Sequence, residues 1–125
     1  MGFLNGKKES TNEEAQKVVE NEEMLDDITE IVEKIFHNIV DRESFSYSRF
    51  ATHMLYLFQR IHNGNTLQSD NESLYQEIVE EFPKLSECAD MISTHMEEKW
   101  KCTISEEERL YIMLHVNRIC AKEGV

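Results

Sequence analysis

The chain has 125 residues, enough for one domain, and 40% of them are apolar, enough for a modest core. Its 25 acidic and 13 basic residues give a net charge of -12, which argues against a domain that binds nucleic acid or an anionic membrane surface. Three widely spaced cysteines predict a reduced, cytoplasmic chain, and no apolar run is long enough for a signal peptide or a membrane span.

Apolar residues recur at intervals of three and four, and helix breakers are scarce in the interior, which predicts an all-α chain. We expect residues 1–19 to form a flexible acidic N-terminal extension and a first helix to cover about 13–40. The apolar stripe of this helix is predicted to comprise Leu25, Ile28, Val32, Ile35 and Ile39. A second helix is predicted over about 46–62, where Asn63-Gly64-Asn65 ends it.

Three more helices are predicted in the second half of the chain. The third is short, over about 70–81, with Ser69 or Asp70 as its N-cap. Pro83 separates it from a fourth helix over about 84–100. The fifth runs from about 106 to 121, because Ser105 and Glu108 have the spacing of a capping box.

Two histidines lie in apolar helical segments that also carry an arginine. His53 and Arg60 are seven residues apart and His115 and Arg118 three apart, so each pair shares a helix face. A neutral imidazole can act as a nucleophile, and a guanidinium suits a phosphoryl group. These pairs therefore indicate a phosphoryl-acceptor site. The plainer interpretation, which spacing alone favours, is a histidine at the edge of a core beside a solvated arginine.

The remaining histidines, His37, His62 and His95, are interpreted as structural. No histidine has an acidic residue three positions before it, so a carboxylate-bridged metal site is excluded. Zinc-binding spacing, phosphate-binding glycine loops and the common nucleophile motifs are also absent. The sequence therefore predicts no metal, no cofactor and no enzymatic activity.

Residues 46–122 resemble a PTS regulation domain (PRD), found in transcriptional antiterminators and activators of bacterial sugar operons. With the first helix, the resemblance covers roughly residues 20–122. The segments that carry it are Arg49-Phe50-Ala51-Thr52-His53-Met54-Leu55, Gln59-Arg60-Ile61, Phe82-Pro83-Lys84 with Cys88-Ala89, and Ser105-Glu106-Glu107-Glu108-Arg109-Leu110-Tyr111-Ile112-Met113-Leu114-His115-Val116-Asn117-Arg118.

The resemblance implies a five-helix bundle in which helices one and four pair antiparallel, as do helices two and five, with the short third helix alongside. It implies homodimerisation and places His53 and His115 at phosphoryl-acceptor positions. Arg60 and Arg118 would then support the phosphate, because the transfer needs positive charge near the phosphoryl oxygens. The donor would be HPr or a sugar-specific enzyme IIB of the phosphotransferase system. Phosphorylation would then control transcription or antitermination through dimer packing or a partner protein.

The chain departs from the family pattern because no nucleic-acid-binding domain precedes its single PRD, which we expect to cover 20–122. We therefore expect a free-standing PRD that acts through a protein partner and does not bind nucleic acid directly; the other possibility is a fragment of a larger regulator. Two alternatives for the function also remain open at this point. One is a constitutive interaction module that has the PRD fold without the switch, and a weaker one is a phosphocarrier that passes the group onward.

Overall fold

The computed structural model describes residues 2–65 and 72–123, and it describes side chains for 13–65 and 74–120. Five helices account for most of these residues. In chain order the helices are α1 (Gly2–Phe36), α2 (Phe45–His62), α3 (Glu72–Glu81), α4 (Pro83–Trp100) and α5 (Glu106–Glu123). No strand occurs in the described ranges. The predicted all-α, five-helix fold class is confirmed.

The helices form one bundle around a shared apolar core. Helix α1 packs against α4, α2 packs against α5, and α4 and α5 also contact each other. The short α3 lies against α4 and α5. The pairing of α1 with α4 and of α2 with α5 is the one that the resemblance implies. The largest side chains that are almost fully buried come from all four long helices and include Met24, Ile28, Met54, Phe58, Ile92, Met96 and Ile112.

The start of α1 differs from the prediction, because the helix begins at Gly2 and not near residue 13. The residues before 13 contain no proline, and Gly6 disfavours a helix by only about 1 kcal/mol relative to alanine. Within 1–19, three glutamates are balanced by three lysines, so this segment is not acidic, contrary to the prediction. The net negative charge of α1 comes from the residues that begin at Glu20. The division of the chain at residue 19 stays a prediction.

The end of α1 also differs, because the helix stops before the predicted residue 40. His37 follows the last helical residue with a φ of 54°, in the left-handed region that commonly ends helices. The Asn38 amide donates to the Glu33 carbonyl at 3.3 Å and closes the last turn. Ile39 consequently leaves the apolar stripe in which it was predicted, and 83% of it is exposed.

The predicted stop at the end of α2 is confirmed. Gly64 adopts a φ of 72°, which costs a glycine little because it has no Cβ. The amide of Asn65 then donates to the Arg60 carbonyl at 2.9 Å, which satisfies one of the last free carbonyls of the helix. The proposed caps of α3, Ser69 and Asp70, lie outside the described residues.

The N-terminus of α5 is tied to α2 by a buried ion pair. The Glu108 amide donates to the Ser105 hydroxyl at 3.2 Å, as the capping-box spacing predicts. The Glu108 side chain is fully buried, and its carboxylate accepts from Arg60 Nε at 3.0 Å and from Arg60 Nη2 at 2.7 Å. This two-pronged contact fixes the position of α2 along α5.

We expect Glu108→Ala to lower the free energy of unfolding by about 3–5 kcal/mol, because it leaves the Arg60 charge without its buried partner. Urea denaturation measures this. The control is Asp90→Ala, which breaks a more exposed ion pair, between Arg109 of α5 and Asp90 of α4. That change is expected to cost less than about 1 kcal/mol. Equal losses for the two variants would contradict the structural importance of the buried pair.

Candidate functional site

The two predicted acceptor histidines lie against each other where α2 packs on α5. The rings of His53 and His115 are stacked, with centroids 3.9 Å apart and planes inclined by 14°. His53 is half-buried and His115 is only 5% exposed. Spacing within each helix predicted a histidine–arginine pair on each of two helices. The packing of the helices brings the two histidines into a single site.

Tyr111 holds His53 from the opposite helix. Its hydroxyl donates to the backbone carbonyl of His53 at 3.0 Å and lies 3.1 Å from the Nδ1 atom of the same residue. Tyr111 precedes His115 by one helical turn, and its ring meets the His115 ring edge-on with centroids 4.5 Å apart. One tyrosine therefore contacts both histidines.

Electrostatics favour the neutral form of His115. Burial is the largest cause, and the neighbouring groups His53, Arg118 and Arg60 act in the same direction, so that the pKa of His115 falls from 6.5 to about 4. At neutral pH the ring is therefore uncharged and keeps a nitrogen lone pair. An uncharged ring also lets His53 stack on it without repulsion between two cations.

A cavity of about 580 Å³ opens beside the histidine stack. Both histidines line it, and so do the guanidinium-bearing residues Arg49 and Arg118. None of the described lining residues is acidic, although the chain as a whole has a net charge of -12. The remaining lining residues are Ser46, Phe50, Asn117 and Ile119. This arrangement suits an anion with several oxygen atoms, because arginine recognises such groups with two parallel hydrogen bonds.

The two arginines named from the sequence have different positions. Arg118 lines the cavity, whereas Arg60 is paired with Glu108 and lies over the ring of Tyr111, 4.4 Å from its centroid. Hydrogen bonds to the Glu108 carboxylate raise the pKa of Arg60 above its usual value, so the guanidinium stays charged. Arg60 therefore supports the tyrosine that holds His53, and does not line the cavity.

Two residues of the site were not identified from the sequence. Arg49 lies one turn before His53 on α2, and this spacing of four was available as a signal. Tyr111 lies four residues before His115, but its contact with His53 depends on how α2 packs against α5. No spacing within one helix reports such a contact.

The other histidines have structural positions, as predicted. His37 follows the end of α1, and His62 places its ring edge-on to Phe58 with centroids 4.4 Å apart in the last turn of α2. His95 bonds to Asp27 of α1 at 2.8 Å and links α4 to α1. None of the three lines the cavity beside the stack.

The described side chains form no group of three or more histidine, cysteine or acidic residues that could hold a metal ion. Burial raises the pKa of Cys88 to about 12 and that of Cys120 to about 11, so both remain thiols with little nucleophilic character. Of the helices in the described ranges, none combines the length and the apolar character that a membrane crossing requires.

Comparison with known proteins finds transcriptional antiterminators among the relatives of this chain. The chain is 29% identical over 108 residues to the transcription antiterminator LicT of Bacillus subtilis, a match of 86% of this chain and 39% of that protein. It is 27% identical over 96 residues to the beta-glucoside operon antiterminator of Dickeya chrysanthemi, covering 77% of this chain and 34% of the relative. Protein GlcT of Staphylococcus saprophyticus is 28% identical over 96 residues, which cover 75% of this chain and 33% of GlcT.

The chain thus spans little more than a third of the length of these relatives. The family model described as the PRD domain matches residues 26–119, which is most of the chain and includes both histidines and all of the described cavity lining. The chain belongs to the PRD domain family.

Proposed function

We propose that this chain is a phosphorylation-responsive regulatory domain of the bacterial phosphotransferase system, which accepts phosphoryl groups on histidine. The observation that carries the proposal is the stacked pair His53 and His115 beside a cavity with two arginines. Membership of the PRD family and the similarity to two named antiterminators support it. The domain acts as a switch and not as an enzyme, because the donor supplies the activated phosphoryl group.

His53 is the main acceptor in this proposal. Its ring is half-buried and lines the cavity, whereas His115 is 5% exposed. A ring nitrogen of His53 forms a bond to phosphorus while the bond between phosphorus and the donor breaks. Arg49 and Arg118 balance the charge on the phosphoryl oxygens, which is the main contribution that a protein makes to such a transfer.

A phosphoryl group at this position adds about two negative charges to the contact between α2 and α5. New bonds to the cavity arginines then repack this contact. We propose that the repacking changes a homodimer or the binding of a regulator protein, and so controls transcription or antitermination. The donor is HPr or a sugar-specific enzyme IIB, and the site of action is the cytoplasm. The domain itself contacts neither nucleic acid nor membrane.

The alternative is a constitutive protein-interaction module with the PRD fold but without a phosphoryl switch. The burial of His115 favours it, because a nitrogen that water scarcely reaches is a poor acceptor. In this alternative the stack of His53 on His115 serves only to pack α2 against α5. Dimerisation and partner binding would then be unaffected by phosphoenolpyruvate and its phosphotransferases.

We expect incubation with phosphoenolpyruvate, enzyme I and HPr, or with a set of enzyme IIB proteins, to place acid-labile phosphate mainly on His53. Intact-protein and peptide mass spectrometry at neutral to alkaline pH measures this. His53→Ala should remove most of the phosphate, and His115→Ala should remove little. The control is His37→Asn. His37 is exposed, and asparagine tolerates the left-handed backbone conformation of this position.

Absence of phosphate from the folded wild-type chain with every donor would refute the switch and leave the constitutive module. Analytical ultracentrifugation with and without the donors further distinguishes the switch from the constitutive module, because it measures the mass of the assembly in solution. A mass that changes with phosphorylation supports the switch. A mass that is unaffected in wild type, His53→Ala and His115→Ala supports the module.

We expect Arg118→Gln and Arg49→Gln each to slow phosphorylation by about tenfold or more, because each removes a charge from the cavity where the phosphoryl oxygens would lie. The rate is measured from the decay of unmodified protein by mass spectrometry. Arg109→Gln is the control, since Arg109 lies on α5 but pairs with Asp90 outside the cavity. An equal effect of all three changes would show that only the net charge of the domain matters.

We expect the second phosphoryl group to enter at least tenfold more slowly than the first. The ring centroids of His53 and His115 are 3.9 Å apart, so two phosphoryl dianions would lie close together. Unit charges about 4 Å apart near a protein surface interact by roughly 4 kcal/mol. A time course of intact masses should show singly phosphorylated protein accumulating. Direct conversion to the doubly phosphorylated form would contradict this.

A further inference from the structure

We propose that Tyr111 is a positioning residue that holds His53 in the tautomer with its proton on Nδ1, so that a phosphoryl group attaches to Nε2. The first half of this inference concerns the unmodified protein. The second half, the choice of nitrogen for phosphate, rests on the proposed function. The two halves are tested by different measurements.

The tautomer follows from the number of hydrogens available. The Tyr111 hydroxyl has a single hydrogen, which it donates to the His53 carbonyl at 3.0 Å. The same oxygen lies 3.1 Å from His53 Nδ1, and this second contact needs its own hydrogen. Only a proton on Nδ1 supplies it.

The two other arrangements leave unshared electron pairs facing each other. If Nδ1 carried no proton while the hydroxyl bonded to the carbonyl, two acceptors would meet at 3.1 Å. If the hydroxyl hydrogen turned to Nδ1, the phenol oxygen and the His53 carbonyl oxygen would meet at 3.0 Å. A part-buried acceptor without a donor is costly, so the arrangement with two hydrogens and two bonds is the stable one.

Tyr111 is itself held in place. The Arg60 guanidinium covers one part of its ring at 4.4 Å, and the buried Glu108 carboxylate fixes that guanidinium with two hydrogen bonds. Burial raises the pKa of Tyr111, so its hydroxyl keeps the hydrogen that the arrangement requires. Arg60, which was predicted from the sequence to support the phosphate, thereby acts on His53 through the tyrosine.

The tautomer decides where the phosphoryl group is attached. With the proton on Nδ1, the free lone pair of the neutral ring is on Nε2. The bond from Nε2 to phosphorus forms as the donor's bond to phosphorus breaks, and the electron pair of that bond returns to the donor. The ring gains a positive charge, and its Nδ1 proton stays on the hydrogen bond to Tyr111 until it is lost to water. Tyr111 therefore also stabilises the charged ring, because its oxygen accepts this hydrogen bond.

The first experiment measures the tautomer of His53 in the unphosphorylated chain by long-range proton–nitrogen correlation of the ring nitrogens, at a pH where the ring is neutral. We expect the Nδ1-protonated pattern in the wild-type chain. Tyr111→Phe keeps the ring beside Arg60 and removes the hydroxyl, and it should shift His53 towards the Nε2-protonated form. The matched control is Tyr56→Phe, because the Tyr56 ring also meets His53 edge-on, with centroids 6.1 Å apart.

An Nε2-protonated His53 in the wild-type chain overturns the inference, and so does a Tyr111→Phe spectrum with the wild-type pattern. The second experiment identifies the phosphohistidine isomer by phosphorus–proton correlation after transfer from the donor. We expect Nε2-phosphohistidine in the wild-type chain, and a rate about fivefold lower with a mixture of isomers in Tyr111→Phe, as for the loss of one net hydrogen bond. Phosphate on Nδ1 of the wild-type chain overturns the second half. If no donor phosphorylates the chain while the tautomer is as expected, the proposed function fails and the role of Tyr111 stands.

Discussion

The contact between α2 and α5 determines the rest of the site, and the buried pair of Arg60 and Glu108 fixes that contact. A fully buried carboxylate is costly unless its partner is close and well oriented, so only one position of α2 along α5 satisfies this pair. That position puts Tyr111 against His53 and stacks His53 on His115. The cavity beside the stack, with Arg49 and Arg118, is a consequence of the same alignment.

Much of the fold could be predicted from the sequence, because local signals set most of the helix ends. The Asn63-Gly64-Asn65 segment and the spacing of Ser105 and Glu108 act within a few residues and correctly predict an end and a start. The ends of α1 were predicted less well. His37 gives only a weak signal for a left-handed backbone, and the residues before 13 contain glycine but continue as a helix.

The site was predictable in part. Resemblance to the PRD family pointed to His53 and His115, which turn out to share one site, although their spacing on separate helices could not show that they touch. Arg60 was read as a phosphate-supporting residue because it shares a helix face with His53, but its partner Glu108 is far along the chain. Tyr111 was missed for the same reason. Side chains whose roles depend on contacts between helices are not visible in a pattern that repeats within one helix.

Glu108 has a second consequence, which concerns how the molecule opens. The first turn of a helix normally frays, because its amides have no partners within the helix. In α5 that turn contains Glu108, whose amide is capped by Ser105 and whose side chain is locked onto Arg60 of α2. Unwinding the beginning of α5 therefore requires the separation of two helices. A segment that is usually among the first to exchange its amide hydrogens with water would instead open together with the core of the bundle.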